Sequence, residues 1–461
     1  MITVESVTTS SAPITVQLLA KNAPGTSPDF TGDIGETRVL LAHSPCLILA
    51  GLGDSTTPSY ELARAGSAAI LRAQKFLSIA FDFTGVSSAT AIAVLRGAVL
   101  RITTPWSQKS IVDEDASKLT RIEVINTLPD FAELWAGEEK RVRAVLLART
   151  LITLPANFLN PQNFADHLAP LREAGVVFER FDAPLLQEMG CGGLLAVGKA
   201  SATPPVLLVL RWPGNGGAPV ALVGKGITFD TGGISIKPAD LMWEMRADMA
   251  GAAAAAATIY ALALQNSPTA AIAVLALAEN AIGDNAYLPS DIIKMYSGRT
   301  VEVVDTDAEG RMVLADALAY AVQTHTPRAV IDLATLTGSI VTALGHVRCG
   351  FFSNNDDLSS KLHASGEATG EIVWRMPIDK AHREEIDSDI ADLKHCSPER
   401  MRPDACIAAA FLREFVGEQT PWLHIDIAGV ESWEEADDDH PSGARGFGVR
   451  LLDHLIKTAF A

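Results

Sequence analysis

The chain has 461 residues, a formal net charge of -18 and 48% hydrophobic residues. This length predicts two or three domains with substantial buried cores. The excess of carboxylates argues against a protein that binds nucleic acid or anionic membranes, because such contacts depend on Lys and Arg.

Cysteine usage and the N-terminal sequence indicate the compartment. The five cysteines are scattered and odd in number, without metal-ligand spacing, which is typical of a reducing compartment. The stretch Met1 to Gln17 lacks the basic start and apolar run of a secretion signal, and we find no run of about 18 uninterrupted apolar residues. We therefore expect a cytoplasmic protein without a membrane span.

The first 128 residues alternate between strand and helix patterns and carry no motif with evident chemistry. The predicted elements are strands at Ile14–Leu19, Arg38–Leu41 and Pro45–Leu49, a helix over Tyr60–Lys75, and further alternating α/β segments at Phe76–Phe83 and Ala91–Ile102. Residues 1–128 are therefore expected to form a small α/β domain.

A long helix is predicted from Phe131 to Leu151, where Glu, Arg, Ala and Leu dominate. Asn160 is a candidate N-cap for a helix that runs to about Glu173. Farther on, the acidic run Glu434 to Asp439 is expected to be a solvated surface loop.

Apolar runs separated by helical patterns continue to the end of the chain. They predict strands at Val176–Phe181, Leu194–Val197, Val206–Arg211, Ile272–Ala278, Ala329–Leu333 and Leu423–Ile427. This alternation predicts an α/β fold with a mostly parallel sheet that is covered by helices on both faces.

The segment Val220 to Pro238 combines an apolar strand pattern with two lysines and an aspartate. Lys225 is expected at the carboxyl end of the strand, where open α/β sheets bind their ligands. Asp230 and Lys237 follow in a glycine-rich loop that can turn tightly. Asp248 stands directly before an Ala-rich helix, where a carboxylate needs a polar partner.

The segment Val304 to Tyr320 places Asp307, Glu309 and Arg311 at alternate positions. In an extended segment these side chains point the same way, which favours a bound cation beside the carboxylates and an anion beside the guanidinium. The alternative is a solvated acidic loop that caps a helix beginning near Met312. Together with the lysines and carboxylates upstream, the pattern favours a metal site.

Other catalytic chemistries lack their motifs. The chain contains neither a His-Glu-x-x-His zinc motif nor a Gly-x-Ser-x-Gly elbow. The Lys225 region is not a phosphate-binding loop, because Pro219 takes the place of the first glycine and Gly226 that of the Ser or Thr.

Several long motifs resemble those of one family. They are Gly-Lys-Gly-Ile-Thr-Phe-Asp (224–230), Gly-Gly-Ile-Ser-Ile-Lys-Pro (232–238), Thr-Asp-Ala-Glu-Gly-Arg (306–311), Ala-Thr-Leu-Thr-Gly (334–338), His-Ile-Asp-Ile-Ala-Gly (424–429) and Gly-Phe-Gly-Val-Arg (446–450). They resemble the signatures of the leucyl (cytosol) aminopeptidases, dinuclear metallopeptidases that remove N-terminal residues from peptides. The resemblance runs from Arg149 to the C-terminus.

The resemblance implies a site for two divalent metal ions per subunit. Asp230 and Glu309 would bridge the two ions, and Asp307 would complete one site. Lys225, as a neutral amine, and Asp248 would complete the other. Zn or Mn are the expected ions, and Mg or Co would also suit these ligands.

Further roles are implied for residues around the metals. Lys237 would polarise the scissile carbonyl, and Arg311 would hold a bicarbonate that serves as general base. Met245 would shape the first subsite. The peptide-contacting segment would include Thr335, Leu336 and Gly338.

The family architecture implies that a helix over residues 129–152 joins the N-terminal domain to a catalytic domain over 153–461. It also implies a homohexamer that acts on peptides. The alternative function is a regulatory nucleic-acid-binding or catalytically silent member of the same family. The acidic composition makes nucleic-acid binding unfavourable.

Asp305 departs from the family pattern, which has Asn at this position. One interpretation is that the carboxylate favours substrates with a basic or polar N-terminal side chain. The other is that Asp305 only accepts a hydrogen bond from nearby backbone N–H groups. The sequence leaves both open.

Overall fold

The structure of the chain is a computed structural model, and it describes residues 2–24, 26–41, 43, 45–111, 117–399, 402–433, 435 and 441–460. Two compact units are present: Met1–Leu146 with Glu434–Gly443, and Leu147–Trp433 with Ala444–Ala461. The acidic run 434–439 lies outside the described residues apart from Glu435. The predicted domain boundaries at residues 128 and 152 stay predictions.

The first unit contains a six-stranded, mostly parallel sheet. Its strands are β1 (Thr3–Ser6), β2 (Ile14–Leu19), β3 (Thr37–Leu40), β4 (Cys46–Gly51), β5 (Ser78–Asp82) and β6 (Arg121–Ile125), in the order β1-β6-β5-β2-β4-β3. Among the described strand pairs of this sheet, only β3 and β4 run antiparallel. The helices are α1 (Ala63–Ala73) and α2 (Ser88–Ile102), and α3 (Phe131–Thr153) begins in this unit. The predicted α/β alternation is confirmed.

The second unit is built on an eight-stranded sheet. The strands of this unit are β7 (Val177–Asp182), β8 (Val206–Trp212), β9 (Val220–Asp230), β10 (Ala271–Asn280), β11 (Ile292–Lys294), β12 (Thr300–Glu302), β13 (Ala329–Ala334), β14 (Cys349–Ser353), β15 (Val373–Arg375), β16 (Leu393–Lys394) and β17 (Trp422–Asp426). The large sheet has the order β15-β14-β17-β13-β9-β10-β8-β7. Its central strands β17, β13, β9 and β10 are parallel. A small sheet, β11-β12-β16, lies apart, and the short strands β18 (Ser432–Trp433) and β19 (Gly443–Ala444) follow.

Helices flank the large sheet, as predicted. They are α4 (Ala169–Glu173), α5 (Ala183–Met189), α6 (Gly192–Gly198), α7 (Ala250–Leu264), α8 (Glu309–His325), α9 (Gly338–Leu344), α10 (Asp356–Thr369), α11 (Lys380–Glu384), α12 (Asp404–Val416) and α13 (Val449–Ala459). Buried residues of α6, α8 and α12 share one core with Ala221 and Val223 of β9. The helix α7 packs on the other face, where Gly224 meets Ala252. Successive β9 side chains alternate between these two layers.

The helix α7 is rich in alanine and is buried along most of its length. Together with the turn before it, Met242–Leu264 is long and apolar enough to cross a membrane, with a mean hydropathy of 1.5. In this fold 89% of its most apolar window is buried inside the protein. That burial is typical of a core helix.

Two predicted elements differ from the structure. Leu194–Val197 is part of helix α6 instead of a strand, and its Leu194 N–H donates to Asp316 Oδ2 at 2.9 Å. A short apolar run does not distinguish a buried strand from a buried helix. The helix predicted after Asn160 starts later, with a 3-10 turn at Asp166–Leu168 and then α4. Asn160 Oδ1 instead accepts from the N–H groups of the next turn, which competes with helix formation.

Candidate metal centre

Lys225 lies in the middle of β9, and the prediction that it ends the strand is wrong. The pairing of β13 with β9 stops at Gly224, and the buried Lys225 follows directly beyond this pairing. Lys225 Nζ lies 2.7 Å from Asp248 Oδ1 and 2.8 Å from Glu309 Oε1. It also donates to the carbonyl oxygen of Thr335 at 2.9 Å.

Close packing of α7 on the sheet brings Asp248 to Lys225. A Cβ at Gly251 would lie 2.1 Å from Leu333 O, and a Cβ at Gly224 would lie 2.5 Å from Ala252 Cα. Only glycine permits such contacts. The carboxylate of Asp248, just before α7, is then fixed by the Thr335 hydroxyl, which donates to Oδ1 at 2.7 Å.

Asp230 and Lys237 flank a tight loop after β9. The loop turns at Gly232 and Gly233, whose φ values of 86° and 65° lie in the left-handed region that favours glycine. The turn carries Lys237 back over the strand end, where Nζ lies 2.9 Å from Asp230 Oδ2. The same ammonium lies 2.6 Å from Asp307 Oδ1.

Asp307 and Glu309 converge at the start of a helix whereas Arg311 points elsewhere, so the predicted extended geometry is wrong. Asp307 lies in a turn, and α8 begins at Glu309, three residues before the predicted start near Met312. Residues two apart on a helix point about 200° apart. Glu309 therefore reaches Lys225, whereas Arg311 reaches a different partner, Asp404.

The carboxylates form a cluster that suits hard cations. Ligand oxygens of Asp230, Asp307 and Glu309 lie within 4.8 Å of one another. Three carboxylate oxygens, Asp248 Oδ2, Asp307 Oδ1 and Glu309 Oε1, accept no hydrogen bond from the described residues. The last two have only an ion-pair contact with a lysine Nζ. Four carboxylates against two lysines leave two negative charges uncompensated. Oxygen ligands with excess negative charge are what divalent ions require.

Burial and mutual repulsion act on the acids of this cluster. Burial, followed by the charge of Asp230, raises the pKa of Asp307 to about 7 and raises the pKa of Glu309. Burial also raises the pKa of Asp248 well above its usual value, against the attraction of Lys225. The charged forms of these acids therefore depend on nearby cations.

The pKa values of the two lysines are also raised, but by attraction to the carboxylates and against the effect of burial. Burial by itself would lower the pKa of Lys225, but attraction by Asp248 and Glu309 outweighs it and raises the pKa. The pKa of Lys237 is raised in the same manner, chiefly by Asp230. The carboxylates therefore favour the ammonium form of both side chains, whereas a dication at the cluster would favour the neutral amine of Lys225.

Sequence reasoning missed the residues that hold the acids in place. Asn280, at the end of β10, donates from Nδ2 to Asp230 Oδ1 at 2.8 Å and to Thr306 O at 2.9 Å. The Tyr287 hydroxyl donates to the same Thr306 carbonyl at 2.8 Å. The position of Asn280 after an apolar strand was the available signal, because ligand sites gather at the carboxyl ends of parallel strands.

The residues predicted to contact the peptide lie beside the cluster or close to its members along the chain. Thr335 holds Asp248 and Lys225, and the Leu336 N–H donates to Asp426 Oδ1 at 3.0 Å. Gly338 is exposed at the start of α9, and Met245 is half-buried in the turn before Asp248. Asp305 is exposed, and its Oδ1 accepts the Asp307 N–H at 3.0 Å.

This centre lies on the central parallel strands of a sheet flanked by helices, and it joins lysines to buried carboxylates that suit divalent ions. Fold and site together define a metal-dependent hydrolase. Residues 146–453 match the cytosol aminopeptidase family, catalytic domain. The chain therefore belongs to the cytosol aminopeptidase family and is an aminopeptidase, a hydrolase of peptide bonds.

Individual relatives agree with this assignment. A probable cytosol aminopeptidase of Brucella ovis is 40% identical over 448 residues, which cover 94% of this chain and 89% of the relative. The one of Afipia carboxidovorans is 48% identical over 315 residues, which cover 68% of this chain and 62% of the relative. A solved structure, the bottromycin maturation enzyme BotP in complex with Mn, has a TM-score of 0.89 and 32% identity, and the match covers 97% of this chain and 99% of that chain.

Proposed function

We propose that this protein removes the N-terminal residue of peptides in the cytoplasm by a two-metal mechanism. The observation that carries the proposal is the convergence of Asp230, Asp307 and Glu309, with ligand oxygens within 4.8 Å of one another, beside two buried lysines. The resemblance of the motifs and the names of the relatives support the reaction class.

As the family resemblance implies, Asp230 and Glu309 would be ligands shared by the two ions. Asp307 would complete one site. Lys225 and Asp248 would complete the other, with Lys225 as the neutral amine. We propose Mn or Zn as the resident ions, with Mg or Co as substitutes. The oxygen-rich donor set and the Mn complex of BotP support Mn.

When bound, two dications acidify water and act as Lewis acids toward the scissile carbonyl. The protein supplies the remaining functions. Lys237, which is only partly buried, would donate a hydrogen bond to the carbonyl oxygen as negative charge develops there. Met245, Thr335, Leu336 and Gly338 would bind the first residue and backbone of the peptide.

The family resemblance also implies that Arg311 binds an anion, bicarbonate. The contacts of this guanidinium support an anion at that position, but they involve a carboxylate of the chain itself. None of the described residues forms an arrangement that favours a nucleic-acid-binding role, and the net charge of -18 opposes one.

Glu309→Gln tests the proposed function. We expect kcat/KM for N-terminal dipeptides to fall by about 100-fold or more, because the amide supplies neither the charge nor the second oxygen of a bridging ligand. Elemental analysis should show fewer than two ions per chain. Circular dichroism should remain that of the wild type, because Lys225 keeps its contact with Asp248.

Glu367→Gln is the matched control, since Glu367 is exposed on α10. We expect it to keep wild-type activity and metal content. Wild-type rates and a full metal complement in Glu309→Gln would contradict the assignment of Glu309. A wild-type protein without metal and without hydrolysis would contradict the function itself.

A further inference from the structure

Arg311 is a buried guanidinium whose two terminal amino groups are already engaged. Its Nη2 lies 2.9 Å from both carboxylate oxygens of Asp404, and its Nη1 donates to His395 O at 3.0 Å. Its Nε has no hydrogen-bond partner among the described residues. The side chain of Arg311 is 2% exposed, so its charge needs a nearby anion.

The carboxylate that contacts Arg311, that of Asp404, belongs to a firmly anchored helix. Asp404 is the first residue of α12, directly after Pro403. The next N–H, that of Ala405, donates to Ser339 Oγ at 2.7 Å, and buried residues of α12 share a core with α8. The backbone that carries the Asp404 carboxylate is therefore held beside Arg311.

Arg311 also connects this carboxylate to the metal centre. It follows Glu309 by two residues in the first turn of α8. The charges of Asp404 and Glu309 both raise the pKa of Arg311, although burial opposes them. Arg311 thus interacts electrostatically with both Asp404 and Glu309.

We propose that Asp404 is the resident anion of Arg311 and takes the place of an external bicarbonate. This inference rests on the proposed aminopeptidase function. Both bonds from Nη2 end on Asp404, and Nε, which has no partner among the described residues, offers only a single donor, so a bicarbonate can engage the guanidinium through Nη2 and Nε together only if that carboxylate is displaced. Asp404 is then a positioning residue that keeps the Arg311 charge in place and compensated beside Glu309. Hydrolysis by the wild type should not require bicarbonate.

A purely structural role is the alternative. An Asp in the first turn of a helix stabilises the helix dipole, and an ion pair with a 41% exposed carboxylate contributes little in water. Such a role predicts that removal of the carboxylate changes stability but creates no site for external anions.

The test is chemical rescue of Asp404→Ala in buffer freed of bicarbonate. We expect kcat to fall by about tenfold or more and to recover when sodium bicarbonate or formate is added. We expect the wild type to be unaffected by either anion. Independently of activity, bicarbonate should raise the thermal midpoint of Asp404→Ala by about 2 °C or more and leave that of the wild type unchanged.

Asp404→Asn preserves the shape of the side chain and is used if the alanine variant does not fold, with the same expected loss. Asp404→Glu should keep most of the activity without added anion. Asp356→Ala is the matched control, because Asp356 also begins a helix and pairs with an arginine, Arg375, at 2.7 Å. It should show neither the loss nor the rescue.

Two results would overturn the proposal. The first is stimulation of the wild type by bicarbonate. The second is that Asp404→Ala (or Asp404→Asn in its place) shows wild-type kcat in bicarbonate-free buffer and no anion-dependent stabilisation. A metal-loaded wild type that hydrolyses no peptide would instead contradict the proposed function. The thermal measurement would then still decide whether Asp404 excludes external anions.

Discussion

Each lysine of the candidate metal centre lies between two carboxylates. Lys225 contacts Asp248 and Glu309 at 2.7 and 2.8 Å, and Lys237 contacts a second acidic pair at 2.9 and 2.6 Å. Removing one partner of a buried ion pair leaves an uncompensated charge, which costs about 3–5 kcal/mol. Isosteric amide substitutions are therefore better probes of catalysis here than alanine, because they perturb packing least.

The contacts of Asp305 favour the interpretation that its side chain accepts a backbone hydrogen bond over the interpretation that it sets substrate specificity. The carboxylate is exposed, so water and salt screen its charge, and its Oδ1 accepts the Asp307 N–H at 3.0 Å. An asparagine can accept the same bond. We predict that Asp305→Asn changes the ratio of kcat/KM for Lys-initiated over Leu-initiated dipeptides by less than about twofold, or ~0.4 kcal/mol.

Asp305→Ala is the complementary variant, because it removes the acceptor as well as the charge. It should lower activity toward both substrates alike, since the Asp307 N–H loses its partner and the turn before Glu309 loosens. A clear drop in the Lys-to-Leu ratio of Asp305→Asn would instead assign Asp305 to specificity.

At the scale of elements, the contact of α7 with the large sheet decides where Asp248 lies. A Cβ on Gly251 would lie 2.1 Å from Leu333 O and 3.1 Å from Lys225 N, both backbone atoms that cannot turn aside. We predict that Gly251→Ala lowers the free energy of unfolding by about 1–3 kcal/mol. Metal content should fall with it, because the helix start that presents Asp248 must move away from Lys225. Chemical denaturation and elemental analysis are the measurements.

Gly137→Ala is the control for this substitution. Gly137 lies within helix α3, and a Cβ there would meet no atom within 4 Å. Alanine should be neutral or stabilise the helix by roughly 0.5–1 kcal/mol. Equal effects of the two substitutions would show that close packing at Gly251 is not the cause.

At the scale of the whole molecule, we predict a homohexamer. The family resemblance motivates this assembly, and the segment Ile234 to Trp243 adds a physical reason. Ile236, Leu241 and Trp243 are 60%, 57% and 53% exposed, close in sequence to Lys237. Three exposed apolar side chains within one short segment favour contact with another surface. Light scattering at micromolar concentration should give about six times the mass of one chain, and a monomer mass would contradict the assembly without affecting the reaction.

The sequence by itself determined the chemical identity of the centre. The donor types, their order and the glycines between them are local properties, and the motifs around Lys225, Asp230 and Glu309 carried them without knowledge of the fold. The mostly parallel sheet was also predictable, since buried strands such as β9 and β10 are continuous apolar runs.

Only the tertiary structure decided how these groups are oriented and what holds them. The helical start at Glu309 sends Arg311 away from the carboxylate cluster and toward Asp404, 93 positions along the chain. Asn280 reaches Asp230 across 50 positions. Periodicity and propensity describe neighbours on one element, whereas these contacts depend on which helix packs against which strand end. The anion that accompanies Arg311 was therefore decided by the packing of α12 beside α8.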